Sequence, residues 1–159
     1  MESGPKKQIS TKALKVWRIS GVIKSAVFWA IAAFLVFMIR LFNGPAWIPI
    51  LLVGIGLILT YLLSHLLPSL RWKRWRYEVK EEEIELQQGI FIKTRTLIPM
   101  IRVQHVDTVQ GPLLRKYGLA SVIVNTAATS HEIPALEESE AEELRHFISS
   151  LARVADEDV

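Results

Sequence analysis

The chain of 159 residues contains no cysteine. Disulfides, thiolate nucleophiles and cysteine-ligated metals are therefore excluded. Acid is scarce early: most of the Asp and Glu lies after Lys80, with a last acidic cluster at 156–158. The stretch 89–127 is also nearly free of acid. There is no internal repeat and no low-complexity tract. Common catalytic signatures are missing: no Gly-x-Ser-x-Gly elbow, no His-Glu-x-x-His and no phosphate-binding glycine loop. A formal net charge of +3 is a weak basis for nucleic-acid binding. The expectation is a protein that is not an enzyme, with no cofactor, metal, nucleic acid or small-molecule substrate.

What is present in quantity is apolar sequence, half of all residues, concentrated in two early blocks. Residues 22–42 form one candidate span, uncharged from 25 to 39, with Lys24 and Arg40 at its ends. Long basic stems there carry their charge back to the interface. Residues 46–67 form a second candidate span with no formal charge. About 20 residues at 1.5 Å rise cross a hydrocarbon core of roughly 30 Å. Asn43, Gly44 and Pro45 predict a tight turn, hence a transmembrane hairpin over 21–70. A cleaved signal peptide does not fit, because no Ala-x-Ala site follows and a second apolar run comes at once. Trp29, Trp47, Tyr61, Trp72 and Trp75 lie mostly near the span ends, as an interfacial belt requires.

The basic residues set the orientation. Lys6, Lys7, Lys12, Lys15, Arg18 and Lys24 come before the uncharged centre of the first span, and Arg71, Lys73, Arg74 and Arg76 follow the second. The positive-inside rule then puts both termini in the cytoplasm. Residues 1–20 read as a basic, mostly loose segment with an amphipathic lead-in around Leu14, Val16, Trp17 and Ile19. Arg71, Trp72, Lys73, Arg74, Trp75 and Arg76 read as a membrane-surface contact, each basic residue contributing about 1 kcal/mol near anionic lipid. His65 is an ionisable group late in the second span, and Gly54 and Gly56 permit close helix approach without forming Gly-x-x-x-Gly.

From residue 71 the pattern changes to short strands and turns. Alternation or β-branching predicts strands over 75–79, 84–88, 90–98, 104–110, 119–126 and 131–133. Turns fall at 80–83, at Gly89, at Pro99, at Gly111-Pro112 and at Pro134. A final helix follows, with Ser139 and Glu142 as a capping box and Leu144, Phe147, Ile148, Leu151 and Val154 on one face. Antiparallel strands joined by tight turns predict a barrel or sandwich closed by that helix. The domain is placed at 71–154 and an acidic tail at 155–159.

Tyr77-x-Val79, Gln88-Gly89, Thr96-Leu-Ile-Pro99, Arg102-Val-Gln-His-Val106, Gln110-Gly-Pro-Leu-Leu-Arg115, Tyr117-Gly-Leu119 and Val122-x-Val-x-Thr-Ala127 occur in that order. With the preceding hairpin, they resemble the bacterial pleckstrin-homology-like membrane proteins of the YdbS-like group, over roughly 21–152. The resemblance implies an α+β membrane protein of the bacterial plasma membrane, with a PH-like antiparallel β-barrel or sandwich capped by a C-terminal helix. It carries over no ligand or activity.

Three local features remain as candidates. His105 and Asp107 share a strand face by period two, too few for a metal or catalytic site. The Glu81-Glu82-Glu83 run reads as a solvated turn. It occupies the loop that is basic in phosphoinositide-binding PH domains, and its carboxylates would repel such a headgroup. Leu113 and Leu114 lie in a short segment between turn signals, and are candidate contacts to another membrane protein carrying the same kind of domain. The leading expectation is a membrane scaffold, and the alternative is a module that reads the anionic inner leaflet.

Overall fold

The computed structural model describes residues 4–157. They divide into two compact units: residues 17–70 in one, and residues 4–16 together with 71–157 in the other.

The first unit is a helical hairpin. Helix α1 (Lys12–Leu41) and helix α2 (Trp47–Tyr61) flank the turn at 42–46, where Asn43 takes φ 50°. A π-helical turn (Leu62–Leu66) follows α2 and leads into α3 (Leu67–Arg74), so the second rod runs past the expected end at 67. Pro68 explains the widened turn: it has no N–H to donate to the Ser64 carbonyl, and its ring crowds that carbonyl. Only 11% of the residues in each apolar window are buried. The core helix of a soluble protein would be mostly covered, whereas these helices present their apolar surface outward.

Two close approaches hold the hairpin. A Cβ on Gly21 would collide with the carbonyl of Leu63. A Cβ on Gly56 would lie 2.8 Å from the rings of Phe28 and Trp29. The Trp29 indole donates to Thr60 Oγ1 at 3.0 Å, and Thr60 donates to the Gly56 carbonyl at 2.8 Å. Gly56 is thus taken up within the hairpin, while Gly54 faces open space. Replacing Gly21 by Val should destabilise the hairpin by at least about 1–3 kcal/mol, as overpacking does. Gly54→Ala, whose Cβ meets nothing, should leave the hairpin at least as stable. Thermal unfolding of both variants in detergent checks this, and equal melting temperatures would contradict it.

The second unit carries six strands in two antiparallel sheets. Strands β1 (Arg76–Val79), β2 (Glu83–Gln88) and β3 (Thr94–Pro99) form one, in that order. Strands β4 (Val103–Val109), β5 (Leu119–Thr126) and β6 (Ser130–Glu137) form the other. A 3₁₀ turn (Met100–Arg102) joins β3 to β4, and a short helix α4 (Pro112–Lys116) joins β4 to β5. Helix α5 (Glu138–Glu157) packs on β4, β5 and the 3₁₀ turn. Tyr77, Ile84, Leu86, Ile98, Leu119, Val122, Val124, Ile133, Leu136 and Ile148 form the core.

Several local expectations are corrected here. β3 begins at Thr94, because Gly89 at φ 118° starts a turn that runs through residue 93. β6 continues through Pro134, since the register shifts opposite Ser121 and Ala135 takes φ 53°. A proline at such a bulge removes no ladder bond. Ser139 is already the second residue of α5 and cannot cap it, while Glu142 pairs with Arg145 and His146. The buried face of α5 is Ala141, Leu144 and Ile148, and Phe147 and Val154 lie on its exposed flank.

The largest correction concerns the N-terminus. Residues 4–16 are no loose flank. Lys7 N donates to the Tyr77 carbonyl at 3.2 Å, and Tyr77 N donates back at 2.9 Å, an antiparallel bridge on the free edge of β1. Ile9, Ala13 and Val16 are buried. Gln8 donates to the Trp72 carbonyl, the Trp72 indole donates to the Ser10 carbonyl, and Ser10 and Lys12 both donate to Glu137. Those last bonds hold the Glu137 carboxyl below the usual carboxylate range, Lys12 contributing most. A carboxylate with a lowered pKa stabilises the fold above its unfolded value, and that contribution fades as pH falls through the folded one. The pair is partly exposed, so the effect should stay under about 1 kcal/mol. Glu137→Gln should lower the melting temperature slightly at pH 7, and the gap from the unmodified protein should shrink at pH 3. A gap independent of pH would contradict the assignment.

Candidate functional site

The two ends of the first sheet differ in character, and the strand register decides which residues go where. Arg76 pairs with Gln87 and Gln88 pairs with Thr94. The chain therefore enters the sheet from α3 at the end where the 89–93 turn projects. At the other end Val79 pairs with Ile84 and Glu83 with Pro99, so the acidic turn lies there. The length of β2 separates the two turns by about 17 Å at roughly 3.3 Å per residue.

The turn at the entry end is built tightly. A Cβ on Gly89 would collide with the Ile92 carbonyl, so only glycine fits this backbone. The Arg74 guanidinium donates to the Ile90 carbonyl and ties the turn to the last residue of α3. Phe91 and Ile92 project from it, 88% and 81% exposed, the most open large apolar side chains in this unit. Lys93 follows, also exposed.

The six candidate surface residues do not behave alike. Arg71, Lys73 and Arg74 are exposed, and Trp72 and Arg76 are half-buried. Trp75 is only 2% exposed and belongs to the core, which corrects its expected surface role. It is the single residue between α3 and β1, and the change of direction there turns its ring inward.

A buried carboxylate lies beside this region. Glu85, on central strand β2, is fully covered; Arg95 donates to it, and Lys80 Nζ lies 3.7 Å away. Its Oε2 has no hydrogen-bond partner. Removing one member of such a pair strands the other charge. Arg95→Ala should cost about 1–3 kcal/mol, and Arg95→Lys should recover part of it. Chemical denaturation checks this, and an unchanged midpoint for Arg95→Ala would refute it. Across the core, the buried Tyr77 hydroxyl donates to Glu140 at 2.8 Å. Burial foremost, then Glu140, pushes its pKa well above the usual phenol value.

The remaining candidates are carried by different elements. His105 Nε2 lies 3.5 Å from Asp107 Oδ2, both well exposed, and Asn125 donates to the same oxygen at 2.9 Å. That is a surface polar cluster. No group of three or more metal-ligating side chains occurs among the described residues. Leu113 and Leu114 sit on α4, and both are half-buried. His65 stacks on Tyr61 at 5.9 Å within the π-helical turn. Phe91 and Ile92 were missed as surface residues because 90–98 reads as one strand. The available signal was three consecutive apolar residues after a glycine, which is not alternation.

An apolar hairpin and a two-sheet, helix-covered domain define a membrane-associated PH-like protein. The chain belongs to the bacterial PH domain family, whose model matches residues 22–152. It is 51% identical, over the whole of both chains, to the UPF0699 transmembrane protein YdbS of Bacillus subtilis (strain 168). It is 21% identical over 100 residues to the UPF0699 transmembrane protein YdbT of the same organism, covering 60% of this chain and 20% of that one. No solved structure matches it.

Proposed function

We propose that this protein is a non-catalytic scaffold of the plasma membrane. In this reading the hairpin spans the bilayer twice, both termini are cytoplasmic, and the PH-like domain docks to a second membrane protein carrying domains of the same kind. The carrying observation is the Lys7–Tyr77 bridge. A chain that leaves a domain at residue 16 and rejoins it at 71 must cross a bilayer an even number of times. The basic residues on both sides of the hairpin favour the cytoplasmic face for that domain.

Docking is supported by surface rather than chemistry. Ile101, Val109, Phe147 and Val154 are exposed apolar side chains on the domain. Half-buried Leu113 and Leu114, next to exposed Arg115 and Lys116, offer a small apolar patch with a charged rim. YdbT, with a segment similar to this chain inside a much longer protein, exemplifies the kind of partner envisaged.

Two measurements test this reading. In the cysteine-free chain, a cysteine replacing Ala46 should react with an impermeant thiol reagent on intact cells, and one replacing Glu81 should not. The opposite labelling would reverse the topology. The intact protein, purified from its own membranes in mild detergent, should bring a second PH-like membrane protein with it. Leu113→Ser or Leu114→Ser should weaken that association at least several-fold while the domain stays folded. Recovery of the protein alone would refute the scaffold role.

A further inference from the structure

We infer that the 89–93 turn is a membrane hook, with Phe91 and Ile92 inserted into the leaflet from which α3 emerges. The inference rests on the reading of the hairpin as membrane-spanning, and it assigns the domain a second, side-chain contact with lipid.

Three observations converge on a lipid occupant. The first is exposure: Phe91 and Ile92 are almost fully open, neighbouring and apolar, at the tip of a turn. The second is position. Arg74 is the last residue of α3, which in sequence directly follows the second apolar run, and it bonds directly to the Ile90 carbonyl. The strand register independently brings this turn, and not the acidic one, to the end of the sheet where the chain enters. The third is charge. Arg74, bonded to the turn, and Lys93, next in sequence, flank the apolar pair, and Arg71 and Lys73 lie on the same helix as Arg74. Apolar tips with basic flanks match an anionic leaflet, in which the Phe91 and Ile92 side chains enter the acyl boundary and the guanidinium and ammonium groups stay among the phosphates.

The turn is also shaped for the task. Gly89 sets the one backbone that fits, and Arg74 braces it, so little chain entropy is lost when the side chains insert. The glutamates of the opposite turn lie at the far end of the sheet, where they do not repel the anionic surface. The recognised chemistry is the bilayer interface in general, with a preference for anionic lipid, and not a phosphorylated headgroup.

The test uses the full chain in lipid nanodiscs of mixed zwitterionic and anionic composition. Single cysteines replace Phe91, Ile92, Glu81 or Leu57, and each carries an environment-sensitive fluorophore. Leu57 is exposed in the second apolar helix and reports on spanning itself. Labels at 91 and 92 should emit to the blue of the label at 81. They should be quenched by lipid-borne quenchers nearly as strongly as at 57, and Phe91→Ser should reduce the quenching at 92. Quenching at 57 without quenching at 91 and 92 would overturn the hook and leave the spans intact. Loss of quenching at 57 as well would overturn the spanning reading. Labels at 91 and 92 that are shielded from an aqueous quencher yet insensitive to lipid quenchers would assign the turn to a protein contact, and would also overturn the hook.

Discussion

The pairing of Lys7 with Tyr77 is the constraint on which the rest depends. Two backbone bonds close a loop of about seventy residues, and a bridge that short cannot hold alone against the entropy of ordering its flanks. It is held by burial. Ile9 and Val16 are almost fully covered, each contributing about 1.5–3 kcal/mol. The Trp72 and Glu137 hydrogen bonds satisfy polar groups that the same packing removes from water. The segment also covers the free edge of β1, which would otherwise present unpaired backbone groups. The domain is thus discontinuous in sequence, with the apolar hairpin inserted between its first residues and its first strand.

The register of the first sheet then converts sequence order into polarity. Because β1 begins immediately after α3, the first turn must lie far from the helix exit and the second must lie near it. Acid at the far turn and apolar plus basic residues at the near one are therefore electrostatically consistent with a negatively charged surface near the helix exit. The acid that argues against phosphoinositide binding at that loop says nothing against lipid contact elsewhere on the domain.

Inside the hairpin, packing relies on small residues and a few internal hydrogen bonds. Gly21 meets a backbone carbonyl and Gly56 meets two aromatic rings, contacts that larger residues would prevent. The Trp29–Thr60 bond pairs two side-chain polar groups inside the hairpin, and the proline-induced π turn rearranges backbone ones.

The sequence by itself determined the two apolar helices, the turn between them, the order and type of most strands, the final helix and the family. Each of these is written in local signals: run length, period, and glycine or proline punctuation. It also determined that cysteine chemistry is impossible. Tertiary structure alone decided that residues 4–16 belong with the β-domain, because their polar, basic composition conceals three buried apolar positions. It alone separated Trp75, in the core, from the basic residues beside it, since a six-residue run cannot show where the chain turns. It alone brought out Phe91 and Ile92, which read as strand until Gly89 is seen at positive φ. Hydrophobic period tells which residues seek cover, but whether a given side chain finds it depends on partners brought from distant positions by strand register and chain return.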